Sequence, residues 1–167
     1  MSRCSAFCTA TQRQFSPRAA ARDLARYRRK GPDATSRMLR ELLTSPNQTG
    51  GTLLDIGAGI GVLTFELLNA GFRHATRVDA SSAYVAAGRQ ETARRGLTAS
   101  VDWVEGDFVD LVSRLPPADV VTLDRVVCCY PAYESLLKAA LDCAGQLVGF
   151  GGVHTSAGGS AARWGSG

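Results

Sequence analysis

An acidic residue followed by alternating glycines is the clearest chemical signal in the chain. An apolar run ends at Asp55, and Gly57, Gly59 and Gly61 follow it. Because glycine has no Cβ, such a turn can be sharp and can approach a ligand closely. A helical pattern then begins at Val62, and the free N–H groups of a helix start would face that ligand. The order of strand, glycine turn and helix predicts a nucleotide-like ligand.

Acidic residues also end three later β-prone runs. Asp79 closes the second of these strands, Asp107 follows the third, and Asp124 closes the fourth. The carboxyl ends of parallel strands meet at one edge of a sheet, where ligands bind in open α/β folds. We therefore expect these carboxylates to share a site with the glycine turn.

The elements that must position these residues alternate regularly. The pattern predicts helices over 18–29, 34–44, 61–69, 81–95, 108–114 and 133–143, and Asp33 is expected to cap the second of them. It predicts strands over 52–56, 75–79, 100–105 and 119–124, with a fifth beginning at 146. Strands that alternate with helices imply parallel crossovers, so we expect a Rossmann-like, doubly wound, mostly parallel α/β sheet of five strands.

The domain organisation is expected to have three parts. An amino-terminal arm with basic helices would occupy 1–50, and its first sixteen residues are expected to be loosely attached. A ligand-binding α/β domain would occupy 51–150. A Gly/Ser-rich tail over 151–167 has no apolar period and is expected to be flexible coil.

Two interpretations of the glycine turn are open, and they differ in the ligand that the turn would bind. A dinucleotide-binding turn has the spacing G-x-G-x-x-G, which would put its third glycine where Val62 stands. Here that glycine comes one residue early, and Asp55 stands where an apolar residue is usual. The pattern of Asp55 and the three glycines, with Asp79, Asp107 and Asp124 at later strand ends, instead resembles the class I S-adenosylmethionine-dependent methyltransferases. The resemblance covers residues 34–150, and an NAD(P)-binding protein remains an alternative.

The resemblance implies S-adenosyl-L-methionine as the cofactor. The glycine turn, including Ala58, would lie against its methionine and ribose portions, and Asp55 would lie near the methionine amino group, directly or through water. Asp79, with Ala80 and Ser81 after it, would accept both ribose hydroxyls. The plain alternatives are that Asp55 only caps the turn and that Asp79 is an ordinary strand-end acid.

The remaining implied contacts concern the adenine and the transferred methyl group. Asp107 would accept from the adenine amino group, and the Phe108 N–H would face a ring nitrogen. Asp124 and Arg125 would border the methionine side and the methyl group. Two alternatives stay open: Asp107 only forms a turn, and Asp124 only pairs with Arg125 or with a basic helix.

The acceptor is less well defined by the sequence. No Asn/Asp-Pro-Pro-Tyr/Phe sequence follows the fourth strand, and no Cys–His pair is evident. We therefore expect a small-molecule acceptor with an oxygen nucleophile, for which a carboxylate is one candidate, and assign no catalytic residue. Cys128 and Cys129 are expected to be small buried filling.

A basic segment precedes the predicted domain. Arg18, Arg22 and Arg26 lie four residues apart, on one face of the predicted helix, with Leu24 and Tyr27 on another. A solvated basic face is the plain interpretation, and nucleic acid is unlikely because aromatic interleaving is missing. A faint similarity to the magnesium-protoporphyrin O-methyltransferase group, whose acceptor is a carboxylate, suggests that the segment covers the cofactor. Under this hypothesis Arg28 and Arg29 help to receive an anionic acceptor.

Composition excludes several classes. The chain has 167 residues, a net charge of +4 and five cysteines, which is an odd number and does not suggest a disulfide framework. Cys4 and Cys8 lack nearby partners, so no metal site is assigned. No apolar run is long enough to span a bilayer and no secretory signal is evident, so we expect a cytoplasmic protein.

The Gly/Ser-rich tail also bears on whether the predicted sheet has its full set of strands. Class I methyltransferases usually carry seven strands, so a coil after residue 150 would omit the last two and expose a sheet edge. A second copy of the chain could cover that edge in a homo-oligomer. The alternative to an active enzyme is a truncated or non-catalytic S-adenosylmethionine-binding module.

Overall fold

The computed structural model describes residues 12–44, 50–151 and 159–163. The helices are α1 (Pro17–Lys30), α2 (Ala34–Leu43), α3 (Val62–Asn69), α4 (Ser82–Arg94), α5 (Phe108–Leu111) and α6 (Tyr133–Cys143). The strands are β1 (Thr52–Ile56), β2 (His74–Asp79), β3 (Val101–Glu105), β4 (Ala118–Asp124), β5 (Ala144–Gly151) and β6 (Gly159–Arg163). Short 3₁₀ turns at Thr98–Ser100 and Val112–Arg114 complete the connections.

The strands form one sheet in the order β3-β2-β1-β4-β5-β6. The first five of these strands are parallel, which confirms the predicted doubly wound α/β fold. Strand β1 lies between β2 and β4. The chain therefore adds β2 and β3 on one side of β1, and β4 and β5 on the other side. Ligands of open α/β sheets bind beyond the carboxyl ends of the strands at such a switch point.

The tail is where the fold departs from expectation. Gly151 is the last residue of β5, and β6 pairs antiparallel with β5, with Leu147 opposite Arg163 and Gly151 opposite Gly159. The expectation of coil over the whole tail is therefore wrong for Gly159–Arg163. Backbone groups on the edge of β5 can pair with any extended segment, so a strand here needs no apolar period. The β5 edge that we expected to be open is paired with the chain itself.

Capping residues fix the two helices before the sheet. The Ser16 hydroxyl accepts from the N–H of Ala19 at 3.4 Å, and Pro17 occupies the first position of α1. Gly31 ends the helix with φ 73°, and its N–H donates to the Tyr27 carbonyl at 2.8 Å. Asp33 caps α2 by accepting from the Ser36 N–H at 3.0 Å, as the sequence predicts.

The core lies on both faces of the sheet. Leu53 and Leu54 are neighbours in β1 and pack on opposite faces, as the alternation of a strand requires. Leu53 joins a cluster with Leu39 and Leu43 of α2, which fixes that helix beside β5. Burial of each such side chain contributes about 1.5–3 kcal/mol. Leu24 and Tyr27 of α1 are buried against α3 and α4, which leaves the arginine-rich face of α1 outward.

Candidate functional site

A cavity of about 700 Å³ opens at the carboxyl ends of the parallel strands. This volume is typical of small-molecule sites. All of the predicted site residues except Gly61 and Ser81 line it: Asp55, Gly57, Ala58, Gly59, Asp79, Ala80, Asp107, Phe108, Asp124 and Arg125. The structure therefore brings residues from four consecutive strand ends together.

The glycines of the turn serve different purposes. A Cβ on Gly57, which has φ 62°, would overlap the Val126 side chain after β4. A Cβ on Gly61, at φ 100°, would overlap the buried guanidinium of Arg77. Gly61 thus allows a close approach on the protein side of the turn, whereas Gly57 and Gly59 line the cavity.

Asp79 holds the turn through backbone donors. Its Oδ2 accepts from the Gly59 N–H and its Oδ1 from the Ser81 N–H, both at 2.8 Å. A carboxylate has about four acceptor positions, so two remain for a ligand. Burial raises the pKa of Asp79, while these two hydrogen bonds and the charge of Arg77 act in the opposite direction. Ser81 lies outside the cavity and caps α4 through the Tyr84 N–H.

Asp55 is more enclosed than the resemblance implies. Its side chain is buried, and both oxygens accept hydroxyl hydrogen bonds: Oδ2 from Thr64 at 2.6 Å and Oδ1 from Thr122 at 2.8 Å. The carboxylate thus ties β1 to α3 and β4. Although Asp55 borders the cavity, only 2% of the residue is exposed, so it is poorly placed for direct contact with a ligand.

Asp107 both caps a helix and faces the cavity. Its Oδ1 accepts from the Val109 N–H at 3.1 Å, which starts α5, and from the Tyr130 hydroxyl at 2.7 Å. Both bonds go to the same oxygen, and Asp107 also lines the cavity. Phe108 is buried beside it. Tyr130 also lines the cavity, and its role was not predicted because no local pattern links it to Asp107.

Asp124 and Arg125 end β4 in an unusual backbone conformation. Among the described residues, Arg125 is the one non-glycine with positive φ, at 61°, and its N–H donates to the Gly151 carbonyl at 2.9 Å. The Asp124 Oδ2 accepts from the Ser36 hydroxyl at 2.8 Å, and its Oδ1 lies 3.4 Å from the Arg125 Nε without a hydrogen bond. Burial raises the pKa of Asp124. Pairing with Arg125 is thus present, together with exposure to the cavity.

The amino-terminal segment forms one wall of the cavity. The expectation of a loose arm is wrong for residues 12–16. Gln12 donates to the Ala80 carbonyl at 2.9 Å, the Ser81 hydroxyl donates to the Phe15 carbonyl at 2.8 Å, and the rings of Phe15 and Tyr84 meet edge to face at 5.6 Å. These contacts involve isolated polar groups and a pair of rings. Helical periodicity in the sequence gives no sign of such contacts. Residues 1–11 lie outside the described structure, and so does the expectation for them.

The arginines of α1 divide between two places. Arg26 lines the cavity, as does Asp23, whereas Arg28 bonds to the buried Glu91 on α4 at 2.6 Å. Arg29 is exposed and does not line the cavity. The hypothesis that Arg28 and Arg29 receive an acceptor therefore names the wrong members of the segment.

The paired cysteines are exposed. Cys128 and Cys129 lie on the turn after β4 with their Sγ atoms 3.4 Å apart, and Cys129 lines the cavity. The expectation of buried filling is wrong because β4 has already ended at Asp124, so the turn leaves the sheet. Over the described ranges, no helix is long and apolar enough to cross a membrane, and no cluster of three or more metal-binding side chains occurs.

A profile of the methyltransferase domain family matches residues 53–149, which is more than half of the chain. The chain belongs to the class I S-adenosylmethionine-dependent methyltransferases. The matched range begins in β1 and ends in β5, so it contains the glycine turn and all of the acidic strand ends.

Two curated methyltransferases show the similarity in sequence. The ribosomal protein L11 methyltransferase of Pelotomaculum thermopropionicum is 32% identical over 130 residues, which cover 77% of this methyltransferase and 41% of the relative. A ubiquinone/menaquinone biosynthesis C-methyltransferase of Roseobacter denitrificans is 32% identical over 77 residues, covering 46% and 31% respectively. The chain thus spans less than half the length of these relatives.

Solved structures share the fold. A methyltransferase from Methanococcus maripaludis, described as S-adenosylmethionine-dependent, superposes with a TM-score of 0.70 at 18% identity, covering 83% of this chain and 64% of that one. Magnesium protoporphyrin IX methyltransferase from Synechocystis PCC 6803, solved with S-adenosylmethionine bound, superposes with a TM-score of 0.67 at 16% identity, covering 90% and 77%. At these identities the similarity shows the fold.

The residues of this cavity fit the family's cofactor. A Cβ on Gly59 would touch the Tyr84 ring at 3.4 Å and would narrow the cavity beside Asp79. Asp79 and Asp107 keep acceptor capacity on the cavity side, which suits ribose hydroxyls and an adenine amino group. S-Adenosylmethionine is therefore the cofactor that this methyltransferase site is built to hold.

Proposed function

We propose that the protein transfers a methyl group from S-adenosylmethionine to the oxygen of a small, anionic acceptor, such as a carboxylate. The observation that carries this proposal is one cavity with two chemically different sides. The acceptors Asp79 and Asp107 lie on the β2 and β3 side of β1. Arg125 follows β4 on the opposite side, where Asp33 also joins it to Arg26 of α1.

The sheet order suggests how the cofactor lies. Asp107 follows β3, Asp79 ends β2, the glycine turn follows β1 and Asp124 ends β4, and this is also the order of these strands across the sheet. Adenine at Asp107 and ribose at Asp79 would place the methionine part over the turn. The methyl group would then face the β4 side, where Arg125 follows Asp124.

The acceptor side holds two guanidinium groups, Arg26 and Arg125, which share the Asp33 carboxylate, and Arg125 also contacts the Asp124 carboxylate. Arg125 Nη1 lies 2.6 Å from Asp33 Oδ2, and Arg26 Nη2 lies 3.8 Å from the same oxygen. Each guanidinium has five N–H donors, so most donors of both residues remain for an acceptor. A planar carboxylate suits such donors because a guanidinium can bind both of its oxygens.

The chemistry requires alignment more than acid–base catalysis. The cofactor supplies an activated methyl group on a sulfonium, which is transferred by direct displacement. The protein residues contribute by holding the acceptor oxygen in line and by excluding water. A carboxylate is ionised at neutral pH and needs no general base.

Binding and turnover experiments test the two halves of the proposal. Titration calorimetry should show binding of both S-adenosylmethionine and S-adenosylhomocysteine, with no binding of NADH. Methyl transfer to panels of carboxylates, phenols and amines should favour carboxylates. Cofactor binding without turnover on any panel would support the alternative of a non-catalytic binding module.

Matched arginine variants then test the acceptor side. Arg26→Gln and Arg125→Gln should raise the KM for the carboxylate acceptor roughly 10-fold or more, since each removes charge-assisted hydrogen bonds. Arg29→Gln, which changes an exposed arginine of the same helix, should leave the KM unchanged. Equal effects of all three variants would contradict an acceptor site at Arg26 and Arg125.

A further inference from the structure

A row of four side chains crosses the sheet directly beneath the glycine turn. Trp103 of β3, Arg77 of β2, Asp55 of β1 and Thr122 of β4 are paired in register, and we call them the cross-sheet row. The Arg77 guanidinium stacks on the Trp103 ring at 3.8 Å, and its Nε lies 4.0 Å from Asp55 Oδ2. Thr122 donates to Asp55 at the other end of the row.

Arg77 is fully enclosed, with 0% of its surface exposed. Enclosing a guanidinium costs several kcal/mol, and a buried ion pair can often be replaced by apolar side chains without loss of stability. Burial lowers the pKa of Arg77 to about 10, so it stays charged at neutral pH. A charge at this position therefore calls for an explanation other than stability.

The contacts of Arg77 lead to the cofactor side of the turn. Its Nη2 donates to the Ala58 carbonyl at 2.9 Å and to the Gly59 carbonyl at 3.3 Å. The N–H of Gly59, which belongs to the same peptide group as the Ala58 carbonyl, donates to Asp79 Oδ2 at 2.8 Å. One peptide group is thus held at its oxygen by Arg77 and at its nitrogen by Asp79.

We propose that Arg77 is a positioning residue for cofactor binding, which fixes the Ala58–Gly59 peptide group and, through it, the orientation of Asp79. This inference rests on the proposed use of Asp79 as the ribose acceptor. Arg77 acts from outside the cavity. Its effect reaches the cofactor through hydrogen bonds to the turn and through its charge.

The charge of Arg77 predicts a pH effect that a purely structural residue would not have. The ionisable groups that face Asp79 are Arg77 on β2, Asp55 on β1 and Tyr84 on α4. Arg77 lowers the pKa of Asp79, whereas burial and Asp55 raise it. Ribose binding needs the ionised carboxylate, so cofactor affinity should fall as the pH falls through the pKa of Asp79. Removal of the Arg77 charge should move that loss of affinity to higher pH.

Calorimetric titration of S-adenosylhomocysteine from about pH 5 to about pH 8 tests the inference with three variants of the full chain. Arg77→Lys keeps the charge but not the forked donor, so it should bind roughly 10-fold more weakly with an unshifted acid midpoint. Arg77→Gln should bind more weakly still, with the midpoint moved to higher pH. Arg114→Gln, an exposed arginine after α5, should behave as wild type.

The outcomes separate this inference from the proposed function. Wild-type protein that binds no S-adenosylhomocysteine would reject the proposed function. A folded Arg77→Gln variant with wild-type affinity and midpoint would overturn the role of Arg77 alone. If Arg77→Gln does not fold, the hydrogen-exchange rate of the Gly59 amide in the ligand-free wild type provides the test. A peptide group that is fixed at its oxygen and its nitrogen should exchange its amide hydrogen slowly. Exchange of Gly59 as fast as that of the exposed Gly96 would overturn the inference.

Discussion

The hydroxyl of Tyr130 donates a 2.7 Å hydrogen bond to Oδ1 of Asp107, which links the turn after β4 to the residue that follows β3. The Val109 N–H donates to the same oxygen. Two donors on one oxygen restrain the carboxylate, and we expect Oδ2 to accept from the adenine amino group. Asp107, at the end of the site that we assign to adenine, is therefore oriented by Tyr130, which lies on the acceptor side.

Removing this hydroxyl should weaken cofactor binding without unfolding the protein. We expect Tyr130→Phe to reduce S-adenosylhomocysteine affinity by up to about 10-fold, because a hydrogen bond to a charged group contributes about 1.5–3 kcal/mol and part of it serves orientation only. Calorimetry measures the change. Tyr133→Phe, at an exposed tyrosine three residues later, is the control and should have no effect. An equal loss in both variants would contradict the role given to Tyr130.

Asp79 should be the most sensitive carboxylate for the cofactor. Asp79→Asn removes the charge and an acceptor that holds the Gly59 and Ser81 amides, so affinity for S-adenosylhomocysteine should fall about 10- to 100-fold. Asp102→Asn, at an exposed position of β3, provides the comparison and should bind normally. Retention of affinity in Asp79→Asn would place the ribose elsewhere.

Gly61 and Gly96 offer a matched pair for stability. Both have positive φ, at 100° and 69°, but only at Gly61 would a Cβ meet other atoms. Gly96→Ala should lower the free energy of unfolding by about 1 kcal/mol from backbone strain. Gly61→Ala should lower it by about 2–4 kcal/mol, because the methyl group also displaces Arg77. Urea unfolding of both variants gives the difference, and similar losses would show that the Arg77 contact is adaptable.

Glu91 should contribute to the acid sensitivity of the fold. Its carboxylate is buried and accepts from Arg94, Arg28 and Arg95, which hold its pKa far below the usual range, with Arg94 the largest cause. A carboxyl whose pKa is lower in the folded state stabilises fully above its unfolded value of about 4.3, and this contribution is lost as the pH falls below that value.

Substitution of Glu91 should reveal this contribution. Glu91→Gln should lower the free energy of unfolding at neutral pH by about 2 kcal/mol and should weaken its decline below about pH 4.5. The measurement is urea unfolding across a pH series, with Glu105→Gln at an exposed position as the control. A variant with the wild-type pH dependence would show that other carboxylates dominate acid unfolding.

The residues with strong local patterns were predictable. The glycine turn, the strand-end acids and the five parallel strands follow from periodicity and spacing, because each depends on a few consecutive residues. The Asp33 cap and the apolar face of α1 were also correctly expected. The assembly of Asp55, Asp79, Asp107 and Asp124 at one cavity then follows from parallel strands sharing an edge.

The missed features depend on contacts between distant segments. An arginine in a strand is usually exposed, so nothing in the local sequence indicates that Arg77 lies between Trp103 and the glycine turn. The attachment of Phe15 to Ser81 spans 66 positions along the chain. Strand β6 forms by pairing with an existing edge and not by an apolar pattern of its own. Such features require knowledge of which elements are neighbours.

The cross-sheet row has a consequence for how this chain can diverge or be redesigned. Its four members come from four strands, and each side chain completes the surroundings of the next. Substitutions within it should be epistatic, with coupling between neighbours of about 0.5–3 kcal/mol. A graft that imports β2 from a related enzyme without the matching residues of β1 and β3 would leave a buried charge uncompensated. We therefore expect a functional exchange to need all four residues of the row together.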